Sequence, residues 1–170
     1  MTTVLAFIVV AAFAGWHAVP RMRQRPAAVA IGACLWVHTL RIVALQIYST
    51  RRFGYDIPAS MANQIAWGDV VGACLALLAL WLLRRRSVAA VPVICLFIVE
   101  TALDFLNAAA LGIRHHSART AHDLSWVILN FYVPVLLISF ALATWQLITR
   151  HAELLNRKSA IHGTDETYPP

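Results

Sequence analysis

Three carboxylic acids lie inside long apolar stretches of this sequence, at Asp69, Glu100 and Asp104. Ionisable groups in such surroundings are energetically costly and are usually functional. The same stretches contain one certain cation, Arg41, and a second ionisable base, His38. Because Arg41 can neutralise only one of the three acids, we expect at least one carboxyl, with Glu100 favoured, to keep its proton at neutral pH. A neutral carboxyl in an apolar pocket can act as a general acid.

The spacing of these polar residues puts them on shared helix faces. Glu100, Asp104 and Asn107 follow the pattern i, i+4, i+7, and His38 lies one turn before Arg41. We predict that the catalytic residues are Glu100, Asp104 and Asp69. The residues predicted to bind substrate or to tune the pKa values of the acids are His38, Arg41, Asn107, Asn130 and Trp36.

A structural explanation of the same residues stays open. Arg41 paired with Asp69 or Asp104 would tie helices together, because membrane bundles use polar side chains as glue. Trp36 would stack on a cationic intermediate or simply pack against its neighbours.

The elements that position these residues are segments long enough to cross a bilayer. Hydrophobic residues make up 60% of the 170-residue chain and charged residues 13%, and the mean hydropathy is +0.67. This composition argues against a soluble domain, a disordered chain and a disulfide-stapled secreted module. A span needs roughly 20 mostly apolar residues. Five segments qualify: Thr3–Val19, Ala28–Ser49, Met61–Leu83, Val88–Gly112 and His122–Thr149.

The predicted fold is all-α: a polytopic bundle of five transmembrane helices in residues 1–150, followed by a flexible cytoplasmic tail in residues 151–170. No Lys or Arg precedes the first segment, so we predict a retained helix rather than a signal peptide. Nine Lys and Arg residues flank the segments on one side and four on the other. The nine are Arg21, Arg23, Arg25, Arg84, Arg85, Arg86, Arg150, Arg157 and Lys158, and the four are Arg51, Arg52, Arg114 and Arg119. This asymmetry predicts a multi-pass protein of the cell membrane with its N-terminus outside and its C-terminus in the cytoplasm.

The polar positions of four segments share one depth when converted at about 1.5 Å per residue. Arg41 lies about 20 Å from the inner start of its segment, and Asp69 and Asn130 lie about 12 Å from the outer starts of theirs. In a hydrocarbon core about 30 Å thick, these depths fall between the midplane and the outer third. We therefore expect one polar layer inside the bundle.

Two local patterns shape this layer. Gly68 and Gly72 flank Asp69 in a small-xxx-small pattern, which predicts close approach of a neighbouring helix. Pro134 cannot donate a hydrogen bond to the carbonyl of Asn130, which predicts a distorted helix at that point.

The seven histidines do not indicate haem, because bis-histidine ligation needs two at matched depth and His38 alone lies deep. A second polar set lies near the predicted outer surface: His115, His116, His122 and Asp123. This set lacks a fixed zinc-ligand spacing, so metal binding there stays open. We predict no cofactor and no metal in the intramembrane site, and no nucleic-acid partner.

The pattern resembles the emopamil-binding (EXPERA-type) family of small multi-span membrane proteins, which includes sterol isomerases and the sigma-two receptor. The resemblance covers about residues 28–150. The matching motifs are His38, Gly68-Asp69, Glu100-x-x-x-Asp104-Phe105-Leu106 and Asn130 shortly before Pro134. The chain departs from the pattern at Arg41 and at Ile42, where a sterol isomerase has a glutamate. The resemblance implies a lipid-soluble ligand and acid–base chemistry without a redox cofactor.

The predicted function is that of an integral membrane enzyme that isomerises, cyclises or opens the epoxide of a hydrophobic lipid, sterol or terpenoid-like substrate. The alternative is a non-enzymatic binding or transport protein for a lipid or an amphipathic cation, with the carboxylates as counter-ions. A third hypothesis is a structural subunit whose buried charges only hold helices together. The expected partners are the substrate and membrane lipids, and homodimerisation stays open.

Overall fold

The computed structural model describes residues 2–52, 57–115 and 126–155, and within these ranges the regular structure is entirely helical. Five helices are long and apolar enough to cross a membrane: α1 (Thr2–Arg23), α2 (Ala27–Ser49), α3 (Ala59–Arg84), α4 (Ala90–Arg114) and α5 (Ile128–Leu155). The prediction of an all-α chain with five such helices is confirmed. Residues 122–125, predicted to start the fifth span, lie outside the described residues.

The helices pack most extensively in three pairs: α3 with α4, α2 with α5, and α2 with α3. Helix α1 packs on α5, while α4 and α5 contact each other far less. The largest apolar cluster joins α2, α3 and α4 around Ile31, Leu35, Ile94 and Phe97. Large apolar side chains such as Leu106 and Ile148 cover the outer surface, as on helices that face lipid.

Two helices contain a widened π turn just before a proline. The turn Ala14–Ala18 comes two residues before Pro20, and the turn Ile128–Tyr132 comes two residues before Pro134. Proline has no N–H to bond the carbonyl four residues back, and a π turn adjusts the bonding pattern in front of it. The distortion predicted at Asn130 therefore takes the form of a π turn.

Helix α2 changes type at the polar layer. Its α-helical part ends at Thr39, and a 3₁₀ stretch runs over Leu40–Gln46. A 3₁₀ stretch of this length is uncommon and often marks a hinge or a functional site. Arg41 is the buried residue of this stretch.

The C-terminal end of α5 is hydrogen-bonded to the connection between α1 and α2. Arg150 has a non-helical backbone conformation, and its guanidinium donates to the carbonyls of Met22 and Arg25 at 3.1 and 2.8 Å. Glu153 accepts the N–H of Ala27 at 3.2 Å. These bonds satisfy backbone groups that helix ends leave free. Helix α5 continues to residue 155, and the rest of the predicted tail, 156–170, lies outside the described residues.

Candidate functional site

Arg41 stands at the centre of the candidate site and is fully buried. Its Nε donates to Oδ1 of Asp69 at 2.7 Å, and its Nη2 donates to Oδ2 of Asp104. Its Nη1 lies 3.8 Å from Oε2 of Glu100. A single guanidinium from α2 thus meets one carboxyl from α3 and two from α4, the four ionisable side chains that the shared depth predicted together.

Two neutral residues of α4 complete the surroundings of Arg41. Nη1 donates to the Thr101 hydroxyl at 3.0 Å, and this hydroxyl donates to Glu100 Oε2 at 3.2 Å. The Arg41 guanidinium carbon also lies 5.4 Å from the ring centroid of Phe105. No sequence pattern selects Thr101, and Phe105 enters only through the motif that resembles the emopamil-binding family. Their signal was position, since Thr101 and Phe105 flank Asp104 on α4.

The carboxyls differ in how firmly they are bound. Asp69 and Asp104 accept hydrogen bonds from Arg41 directly, whereas Glu100 has the longest contact with it and reaches it through Thr101. The side chains of Asp69, Glu100 and Asp104 are 15%, 18% and 9% exposed, against 0% for Arg41. Three ionised carboxyls and one guanidinium would leave two unbalanced negative charges in this layer. Of the three carboxyls, Glu100 has the longest contact with Arg41, and the hypothesis that it carries a proton stays a prediction.

Gly68 and Gly72 of α3 make room for these charged groups. A Cβ on Gly68 would clash with the Asp104 carboxyl. A Cβ on Gly72 would lie 2.7 Å from Arg41 Cζ and 3.0 Å from Glu100 Oε2. The small-residue pattern thus admits charged side chains of the neighbouring helices to the surface of α3.

We therefore expect Gly72→Ala to lower the free energy of unfolding by about 1–3 kcal/mol, the usual cost of overpacking. Gly112→Ala is the matched control, because a Cβ there meets nothing within 4 Å, and it should be neutral or stabilising by up to about 1 kcal/mol. Denaturant titration in detergent measures both. Equal stability of Gly72→Ala and the unmodified protein would show that Arg41 is not held against α3.

Two further polar groups of the same region are buried without partners. Neither ring nitrogen of His38 nor the hydroxyl of Tyr132 has a hydrogen-bond partner among the described residues. The His38 ring is fully buried and packs edge-on to Phe97 at 5.0 Å. Tyr132 lies on α5, within the π turn that precedes Pro134. The sequence predicted His38 as a site residue but gave no reason to select Tyr132.

Three predicted binding residues lie apart from Arg41. Asn130 accepts the Thr3 hydroxyl at 2.6 Å and donates to the carbonyl of Trp126 at 2.8 Å, so it joins α1 to α5. Asn107 is exposed, and Trp36 is 61% exposed on the outer surface. Their proposed contacts with a substrate stay predictions.

Within the described ranges, no group of three or more His, Cys, Asp or Glu side chains is arranged to hold a metal ion. Of the outer polar set, His115 is the C-cap residue that follows α4, while His116, His122 and Asp123 lie outside the described residues. The zinc alternative for this set therefore stays untested.

These features define a small all-α protein with five helices that are long and apolar enough to span a membrane and a buried Arg–carboxyl group between three of them. Residues 1–148 match the family described as Domain of unknown function (DUF8737), and the chain belongs to that family. Comparison with curated proteins and with solved structures gives no match. The resemblance to the emopamil-binding family stays a hypothesis.

Proposed function

We propose that this chain is a multi-pass protein of the cell membrane, with its N-terminus outside and its C-terminus in the cytoplasm. Five apolar helices with large exposed apolar side chains support the location. The nine-to-four asymmetry of Lys and Arg supports the orientation.

The orientation predicts the labelling of two positions. A reporter fused after Pro170 should be active as a cytoplasmic domain, and a cysteine introduced at Ser117 should react with an impermeant reagent added from outside. The background for this measurement is a variant in which Cys34, Cys74 and Cys95 are replaced by Ala. Protection of position 117 in intact cells, with labelling after lysis, would contradict the five-span topology.

The proposed activity is acid–base catalysis on a hydrophobic substrate inside the membrane. The observation that carries it is the sharing of one guanidinium among three carboxyls, which leaves a proton to be held in an apolar layer. Glu100 is the favoured acid and Asp104 the second candidate, with Asp69 as the conjugate base or as the anion that stabilises a substrate cation. Arg41 and His38 set the electrostatics of the acids.

The reaction can be written as an isomerisation. Glu100 transfers its proton to a carbon–carbon double bond, and the Asp69 carboxylate, which accepts the Arg41 Nε–H, faces the developing carbocation. Loss of a different substrate proton to a carboxylate of the group moves the double bond and restores the charge of the site. Proton number is conserved, and the resemblance to the emopamil-binding family supports the same class of substrate.

A binding or transport function is the second candidate. The excess of carboxyls over Arg41 would also favour binding of an amphipathic cation. Its charged group would then balance the carboxylates in place of the proton held by one of them. Its apolar part would lie among the helices.

The molecules that copurify with the protein distinguish these functions. The protein is purified in mild detergent, and its lipid extract is compared by mass spectrometry with an extract of the same membranes. Enrichment of a sterol, terpenoid or polyene would support the enzyme, and enrichment of an amphipathic amine would support the binding protein. Bulk phospholipid alone would favour the structural subunit.

A further inference from the structure

The end of the bundle at which α1, α3 and α5 terminate is rich in arginine. The α1–α2 and α3–α4 connections both pack against the C-terminal part of α5 at this end. Arg150 of α5 donates to the carbonyls of Met22 and Arg25, and Leu154 packs on the apolar cluster that includes Leu83. The arginine-rich end so formed contains seven arginines: Arg21, Arg23, Arg25, Arg84, Arg85, Arg86 and Arg150.

Among the described residues of the arginine-rich end, Glu153 is the one acid. It accepts two hydrogen bonds from Arg150, at 2.6 and 2.8 Å, so its charge is already matched. Seven arginines against one glutamate leave an excess of six positive charges, which an external anion can balance. Six arginines of this end are exposed and form no ion pair within residues 2–52, 57–115 and 126–155: Arg21, Arg23, Arg25, Arg84, Arg85 and Arg86.

Two of these arginines lie over tryptophan rings. The guanidinium carbon of Arg23 is 5.4 Å from the ring centroid of Trp145, and that of Arg85 is 5.5 Å from the ring centroid of Trp81. A cation–π contact orients the guanidinium plane without using its N–H groups. Neither guanidinium donates a hydrogen bond to another residue that the structure describes. Each therefore keeps its planar set of N–H donors for an oxygen-rich anion such as a phosphate.

Both tryptophans lie further into the apolar helices than the arginines they contact. Trp81 precedes Arg85 on α3 by four residues, about 6 Å of helical rise. Trp145 precedes Arg150 on α5 by five residues, about 7.5 Å, and Arg23 lies at the level of Arg150, which bonds the carbonyl of the neighbouring residue. Tryptophan rings of membrane proteins collect at the boundary between hydrocarbon and headgroups. The two guanidiniums are therefore at the level of the lipid phosphates.

We propose that Arg23 with Trp145, and Arg85 with Trp81, form two binding sites for the headgroups of anionic phospholipids. Each guanidinium donates to phosphate oxygens, and the tryptophan ring supports it from the hydrocarbon side. The excess of positive charge favours a headgroup with a net negative charge, because a zwitterionic headgroup brings its own cation. The sites rest on the proposed location in a membrane, but neither on the orientation of the chain nor on catalysis.

Native mass spectrometry of the detergent-solubilised protein tests the two sites. Phosphatidylglycerol and phosphatidylcholine with the same acyl chains are titrated in separate experiments. The unmodified protein should bind two phosphatidylglycerol molecules about tenfold more tightly than phosphatidylcholine. Arg23→Gln and Arg85→Gln should each remove one of the two tightly bound lipids, and the double variant should remove both. Thermal unfolding without added lipid checks that each variant is folded.

Arg84→Gln is the matched control, because it removes the same charge from a neighbouring exposed position and should leave both lipids bound. An equal loss of binding in Arg84→Gln and Arg85→Gln would overturn the proposal, since the lipids would then respond to diffuse charge. Equal affinity for the two lipids would also overturn it, as would displacement of phosphatidylglycerol by inorganic phosphate. The proposed membrane location fails by a different result, a chain that stays soluble without detergent, so the two failures are distinguishable.

Discussion

Arg41→Met should lower the free energy of unfolding by about 3–5 kcal/mol, the usual cost of removing one partner from a buried ion pair. The guanidinium gives direct hydrogen bonds to Asp69 and Asp104. Methionine fills a similar volume but leaves these carboxyls without a donor in an apolar layer. Denaturant titration in detergent micelles measures the loss.

Two further variants make this result specific to the buried group. Arg84→Met removes an exposed arginine at the end of α3 and should change stability by less than about 0.5 kcal/mol. Adding Asp69→Asn and Asp104→Asn to Arg41→Met should recover most of the loss, because no unpaired charge remains. A stability of Arg41→Met equal to that of the unmodified protein would show that the charges do not organise the bundle.

Glu100→Gln should keep the fold and reduce turnover of the copurified substrate by about 10²–10⁴-fold, the usual contribution of a general acid. Glutamine retains the shape of glutamate and can still accept the Thr101 hydroxyl, but it has no proton to deliver. The measurement compares turnover with thermal unfolding of the same preparation. Leu103→Ala, at an exposed position of α4, is the control and should retain full activity.

Asp104→Asn separates the two candidate acids. Arg41 donates to Asp104 directly, so this variant should lose stability as well as activity, whereas Glu100→Gln should lose activity alone. Loss of ligand affinity in both variants would identify the carboxyls as counter-ions of a bound cation. Full turnover by Glu100→Gln would transfer the role of acid to Asp104.

Much of this site was predictable from the sequence because depth and direction follow from helix geometry. The lengths of the apolar runs define the five helices. The helical rise per residue then puts Arg41, Asp69 and Asp104 in one layer. The structure adds that one side chain contacts every carboxyl of the layer. Spacing within a helix cannot supply this result, because it depends on how far the Arg41 side chain reaches across to two neighbours.

The sequence was least informative about neutral partners and about where the layer ends. Thr101 and Phe105 are ordinary residues of an apolar helix, so their contacts with Arg41 could be identified only after packing was known. Asn107 shares the helix face of Glu100 by periodicity but lies about two turns further along α4 and is exposed. The periodicity of polar residues shows which side of a helix they occupy. How far the site extends along that helix depends on the helices packed against it.

The central claim is that one of the three carboxyls holds a proton at neutral pH. Infrared spectroscopy of the purified protein tests it through the C=O stretching band of a protonated carboxyl. We expect this band at neutral pH, with a shift in D₂O, persistence in Asp104→Asn and disappearance in Glu100→Gln. The absence of the band from the unmodified protein, or its survival in Glu100→Gln, would contradict the account.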